Sequence, residues 1–163
     1  MSKKSAGILL FRFQDKQLQV LLVHPGGPFW SKKDLGSWSV PKGELDENED
    51  ILYAAIREME EETGFKACGP FISLQPVKQK SGKIIYIFAT QNEFDPRNLK
   101  SNNCVIEWPP HTGKRLEIPE VDRAEWLYLN EAKGKIVKGQ LPLLFELEQK
   151  LGNNPTIKEN KYS

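Results

Sequence analysis

At 163 residues the chain is long enough to bury a core and too short for two ordinary domains. Its 23 Lys and Arg offset 22 Asp and Glu to a net charge of +1, so no general field draws it to extended nucleic acid or an anionic membrane. Two cysteines, Cys68 and Cys104, have neither metal nor redox spacing and are too few for a disulfide scaffold. Both are expected as free thiols. No stretch reaches the ~18 consecutive apolar residues of a spanning helix, and the N-terminal apolar run is shorter than a signal-peptide core. A soluble, cytoplasmic protein is expected.

In chain order, "AGILLFRF" and "LQVLLVHP" are short runs rich in Leu, Val, Ile and Phe, separated by the polar "QDKQ". They predict a β-hairpin. The next segment, "GGPFWSKKDLGSWSVPKGEL", is rich in Gly, Pro and Trp without any period and predicts a long ordered loop. From Glu49 to Thr63 the pattern turns helical: Leu52, Ala55, Ile56 and Met59 form one apolar stripe, Asn48 or Asp46 is placed to cap the start, and Gly64 to stop the helix. "FISLQPV" and "KIIYIFATQ" predict further strands, and "VIEWPPHTGKRLEI" a loop or strand pair around a Pro-Pro turn. "EVDRAEWLYLNEAKGKI" passes from a strand ending near Leu129 into a short helix, and a final helix is expected from about Gln140 to Leu151. The tail beyond it is polar and expected to fray.

The stretch "REMEEETGF" places Glu58, Glu60, Glu61 and Glu62 close together near a helix C-terminus, where the dipole already disfavours negative charge. Helical geometry puts Glu58, Glu61 and Glu62 within ~100° of one another and beside the apolar stripe, so they should face a groove, whereas Glu60 points toward solvent. A hard divalent cation such as Mg²⁺ would offset their repulsion. A plain solvated charged face is the competing reading of any acidic run.

The flanks decide between them. Gly43, five residues, Glu49, seven residues, Arg57-Glu58, Met59, Glu60, Glu61-Glu62, Thr63, Gly64 and Phe65 together resemble the Nudix box at every defining position. The N-terminal strand pair, "WSVPKGEL" and "PEVDRAEWLYL" extend the similarity over roughly residues 5 to 150. The resemblance implies an α/β Nudix fold, a mixed β-sheet sandwiched between helices, as a single domain over residues 1 to 152 with a polar tail from 153 to 163. It also implies Mg²⁺-dependent hydrolysis, with Mn²⁺ an alternative ion, of a nucleoside diphosphate linked to another group.

On this resemblance Glu58, Glu61 and Glu62 are metal-facing carboxylates, with the backbone carbonyl of Gly43 a further ligand, and Arg57 and Glu49 orient them. The general base sits either on the box helix or on a later loop. Glu120 matches a downstream glutamate of relatives that cleave dinucleoside polyphosphates, and with "SVPKGEL" it favours a substrate such as diadenosine tetraphosphate over ADP-ribose or a nucleoside triphosphate. An exposed loop acid is the plainer reading of Glu120. Lys42 is the leading cation for phosphate, ahead of Lys32, Lys33 and Arg12. Trp30 and Trp38 in the Gly-rich loop, and Tyr86 or Phe88, are candidates to stack on a base, while Trp126 reads as core. His24 and His111 read as loop residues without a role. A nucleotide-binding module without turnover, and an interaction domain with an acidic helix, are the other function classes. The intact box argues against the first, and its spacing is unexplained by the second.

Overall fold

The computed structural model describes residues 3–152; the expectation for the tail from residue 153 lies outside them. β1 (Lys4–Gln14) and β2 (Gln17–Pro25) form the expected antiparallel hairpin, and β1 also pairs in parallel with β6 (Ile84–Gln91). A strand with neighbours on both sides and layers on both faces must be apolar throughout, which is why "GILLF" lacks alternation. β2 pairs on its other side with β9 (Val121–Tyr128), and β4 (Ile72–Ser73) and β5 (Val77–Lys78) both pair with β6. The seven-stranded mixed sheet is completed by a short strand at the end of the expected loop, β3 (Lys42–Glu44), which pairs with the first residues of β1.

α1 (Ile51–Thr63) covers one face of the sheet, burying Ala54, Ala55 and Met59 against Ala6, Ile8 and Leu10. α2 (Leu129–Lys135) and α3 (Leu141–Leu151) cover the other, where Leu143, Leu144 and Leu147 meet Leu9 and Phe11 of the same strand β1. The helix-sheet-helix layering is the α/β sandwich expected. β7 (Asn103–Glu107) and β8 (Arg115–Pro119) form a separate two-stranded hairpin that runs directly into Glu120. Among the described residues no helix is long and apolar enough to cross a membrane. Cys68 and Cys104 are free thiols.

Three expectations are corrected. The helix starts at Ile51 with Asp50 as its cap, whose Oδ2 accepts from the Tyr53 N–H at 3.0 Å, because Asn48 has φ 63° and cannot continue a helix. Its buried stripe therefore includes Ala54, with Leu52 only half-buried. Trp38 cannot stack on a ligand. It is 0% exposed, its Nε1 donates to Asp34 Oδ1 at 2.7 Å, and its ring meets His24 edge-on at 5.1 Å. His24 in turn lies on β2 and is buried, with Nδ1 2.8 Å from Asp122 Oδ1 and Nε2 2.6 Å from the Lys33 carbonyl. Trp38→Ala should destabilise the fold by about 3–5 kcal/mol, read as the midpoint shift in urea unfolding. A shift below ~1 kcal/mol would mean the cavity collapses around the loss.

Candidate active site

Arg57 sits at the centre of the acidic helix. Its Nε and Nη2 clamp Glu49 through both carboxylate oxygens, at 2.7 and 2.9 Å, and its Nη1 donates to Glu58 Oε1 and Glu61 Oε1 at 3.0 Å each. Glu49 also accepts from the Asp46 N–H at 2.9 Å, so the turn before the helix is tied to the same guanidinium. Part of the repulsion in "EMEEE" is thus met by one planar cation, whose fork bridges three carboxylates as an ammonium cannot. Arg57→Lys should keep the fold and lower kcat by at least about tenfold, the usual scale for losing an orienting partner. Kinetics equal to wild type would make Arg57 an ordinary surface cation.

Gly43 presses against Glu58: a Cβ at this position would lie 1.9 Å from Glu58 Oε2. Only glycine leaves room for the β3 backbone and this carboxylate to lie side by side. Glu62 is half-buried, and loss of solvation, with smaller contributions from Glu120 and Glu58, pushes its pKa up to about 8 against the opposing pull of Lys42 and its backbone hydrogen bond. Desolvation also raises Glu58, aided by Glu61, and Glu120, again aided by Glu61. Lys42 is lowered by burial and held up by Glu62 and Glu58. Glu60 is exposed, as its place on the helix requires.

Glu120, remote in sequence, is brought to this cluster by a backbone chain. The Glu61 carbonyl, left without a helical partner near the C-terminus, accepts from the Asn102 N–H at 3.0 Å; the Asn102 carbonyl accepts from Glu120 at 2.8 Å; and the Glu120 carbonyl accepts from Gly26 at 3.0 Å. Gly64, with φ 81°, closes the helix by donating to the Glu60 carbonyl at 2.7 Å.

Glu62, Glu120 and Lys42 line one cleft of about 300 Å³ together with Trp30, Gln79 and Gln140. Trp30 reaches it as the loop reading anticipates. Tyr86 does not line it: in register with Ala6, it points to the α1 face of β6, half-buried. Arg12 is also elsewhere, stacked 4.4 Å over Trp126 and paired with Glu93, and Lys33 lies over the Phe29 ring. Trp126 is half-buried in β9, donating through Nε1 to the Phe94 carbonyl. Sequence reasoning missed Gln79 and Gln140, for which no pattern of residue types gives a signal.

Among the described residues no three acidic or imidazole side chains converge as a ready-made cation cage. The chemistry of the donor set nevertheless fits a hard divalent ion: half-buried Glu58 and Glu62 and exposed Glu120 raise one another's pKa values, and a set of oxygen donors only is what such an ion favours.

Comparison with known proteins settles the family. The model for the NUDIX domain matches residues 1–147. The chain belongs to the NUDIX family. The NUDIX domain of Shewanella oneidensis NrtR, solved with ADP ribose, superposes with a TM-score of 0.64 at 19% identity, covering 93% of this chain and 89% of that one. A C. elegans Ap4A hydrolase in a binary complex gives 0.62 at 20% identity over 91% and 98%. Both share the NUDIX fold at identities too low to carry a substrate across. An RNA pyrophosphohydrolase of Caulobacter vibrioides is 31% identical over 86 residues, 50% of this chain and 46% of its own length. The chain thus matches about half the length of that curated relative.

Proposed function

We propose that the protein is a divalent-cation-dependent hydrolase of phosphoric anhydride bonds in nucleotide-derived substrates. The observation that carries this reading is the desolvated Glu62 carboxylate, held by the Lys42 backbone and facing a cleft shared with Glu120. Glu58, Glu61 and Glu62, with the Gly43 carbonyl, would hold Mg²⁺ or Mn²⁺, which when bound spreads the charge on the diphosphate and activates water. Arg57 keeps Glu58 and Glu61 in a fixed orientation. Lys42 presents a half-buried cation to the anionic substrate, where low solvation strengthens the attraction. The general base is a carboxylate of the box helix or Glu120 on the later loop, and Glu62 and Glu120 both line the cleft in which water would be activated. Trp30 offers an aromatic face in the same cleft for a base.

A dinucleoside polyphosphate such as diadenosine tetraphosphate is the favoured substrate, because Glu120 lies within electrostatic reach of the box carboxylates and Lys42 lines the same cleft, where a long polyphosphate needs local positive charge. The test is hydrolysis in Mg²⁺ of diadenosine tetraphosphate, ADP-ribose, a nucleoside triphosphate and a 5′-triphosphorylated oligoribonucleotide, with products identified by mass. The last substrate is included because of the Caulobacter relative. Glu120→Gln should lower kcat on the preferred substrate by about tenfold with KM little changed, since the lost interaction matters in the transition state. Preferential hydrolysis of ADP-ribose, unimpaired in Glu120→Gln, would overturn both the substrate and the role of this residue.

A further inference from the structure

Gln140 is 1% exposed yet lines the active-site cleft. Its Oε1 accepts from the Val40 backbone N–H at 2.9 Å. A backbone N–H can only donate, so this bond fixes which way the amide is turned: the oxygen faces Val40, and the NH₂ group points away from it. No partner within the described residues takes those two hydrogens. Ser5 Oγ is the one fully buried side-chain polar atom among the described residues without a hydrogen bond, so the Gln140 Nε2 is open to the cleft and not sealed in the core. A nine-tenths-buried donor left without a protein acceptor is costly unless water or a ligand completes it.

The surroundings say what kind of ligand. The turn carrying Gln140 is locked to the loop before β3: the Val137 N–H donates to the Trp38 carbonyl at 2.7 Å, and the Gln140 N–H to the Val137 carbonyl at 2.9 Å. Around it the cleft wall is neutral, with Val137, Ser37, Ser39 and the Trp30 ring. The charged residues of the cleft are Lys42, Glu62 and Glu120. Val40, to which Gln140 is bonded, precedes Lys42 by two residues, a backbone separation of at most ~7 Å. A neutral wall with an aromatic face and one oriented donor suits an uncharged planar heterocycle, and the adjoining charged end suits its phosphates.

We propose that the Gln140 amide reads the base of the bound nucleotide, donating to a hydrogen-bond acceptor on its edge. This rests on the nucleotide reading above and adds the residue that sets base selectivity. Gln140 is a specificity residue on the neutral wall of the cleft, so it acts on KM and on binding and not on kcat.

The test is calorimetric binding of GMP, AMP, CMP and UMP, with ribose 5-phosphate as a probe lacking the base, to the full chain in Mg²⁺. Gln140→Glu keeps the acceptor for Val40 and removes the donor, and Gln140→Met removes the donor without adding charge; melting temperatures establish that both fold. Wild type should prefer one or two of the bases, and both variants should bind those about tenfold more weakly, with ribose 5-phosphate unchanged in the Met variant. Unchanged binding of the preferred base in either variant, or equal weakening of ribose 5-phosphate in Gln140→Met, would overturn the proposal. Wild type showing no base preference would overturn it as well. Because binding needs no turnover, base-selective binding by a protein that hydrolyses none of the substrate panel would leave this inference standing while the hydrolase reading fell.

Discussion

Replacing Glu62 with Gln will lower kcat on the preferred substrate by about 10²–10⁴-fold while the fold remains intact. Gln is nearly isosteric and still offers an oxygen to the Lys42 backbone, so the change removes charge and proton affinity and little else. Because loss of solvation, with the repulsion of Glu120 and Glu58, outweighs the attraction of Lys42 for ionised Glu62, neutralising it should leave the melting temperature without divalent ion no lower than that of wild type. The effect of the ion separates the two proteins: Mg²⁺ or Mn²⁺ binds the folded state and should raise the wild-type melting temperature, and raise that of Glu62→Gln distinctly less. Full wild-type turnover in excess chelator, or an unimpaired kcat in the variant, would remove Glu62 from the chemistry.

Gly43→Ala should reduce kcat by about 10²-fold, although it adds a single methyl group. The new Cβ would sit 1.9 Å from Glu58 Oε2 and 2.1 Å from its Cδ. β3 cannot retreat, since Gly43 is in register with Ala6 on the neighbouring strand and Ala6 is wholly buried. Glu58 must therefore swing out and give up its bond to Arg57, and a displacement of ~1 Å at the carboxylate proposed to hold the ion is enough for an effect of this size. Steady-state kinetics beside circular dichroism would check it. A variant with native spectra and native rate would show that the position of Glu58 is immaterial.

Much of the site was legible in the linear pattern because it is local. Arg57, Glu58, Glu61 and Glu62 lie within two turns of one helix, so a period of 3.6 residues is enough to place their side chains on adjoining faces. Gly64 was legible for a similar reason, since a left-handed cap is a requirement on the residue itself. The helix start was not, because Asp46, Asn48 and Asp50 are all capable caps and the choice fell to the backbone of Asn48 and to the Arg57–Glu49 clamp. Trp38 was misread as a ligand platform because its Gly-rich neighbourhood resembles a surface loop. The bond to Asp34 and the bridge to Ile136 draw it under α2 and into the core.

The sequence by itself determined most of the strand and helix order and the acidic helix with its glycine on one side and its arginine within. These follow from spacing and residue type, which act over a few residues. The α/β class came from the resemblance those spacings carry, and β3 lay within an expected loop. Tertiary structure alone decided how the nominated Glu120 reaches that helix, which unforeseen group joins the cleft and which nominated one stays outside it. Glu120 arrives through the Asn102 and Gly26 backbone bonds, and Gln140 through Val40. Tyr86 stays on the α1 face of β6 by strand register, away from the cleft. Each of these depends on the pairing of unfulfilled backbone donors and acceptors across long separations, a demand that every peptide group makes alike and that therefore leaves no mark in the order of the side chains.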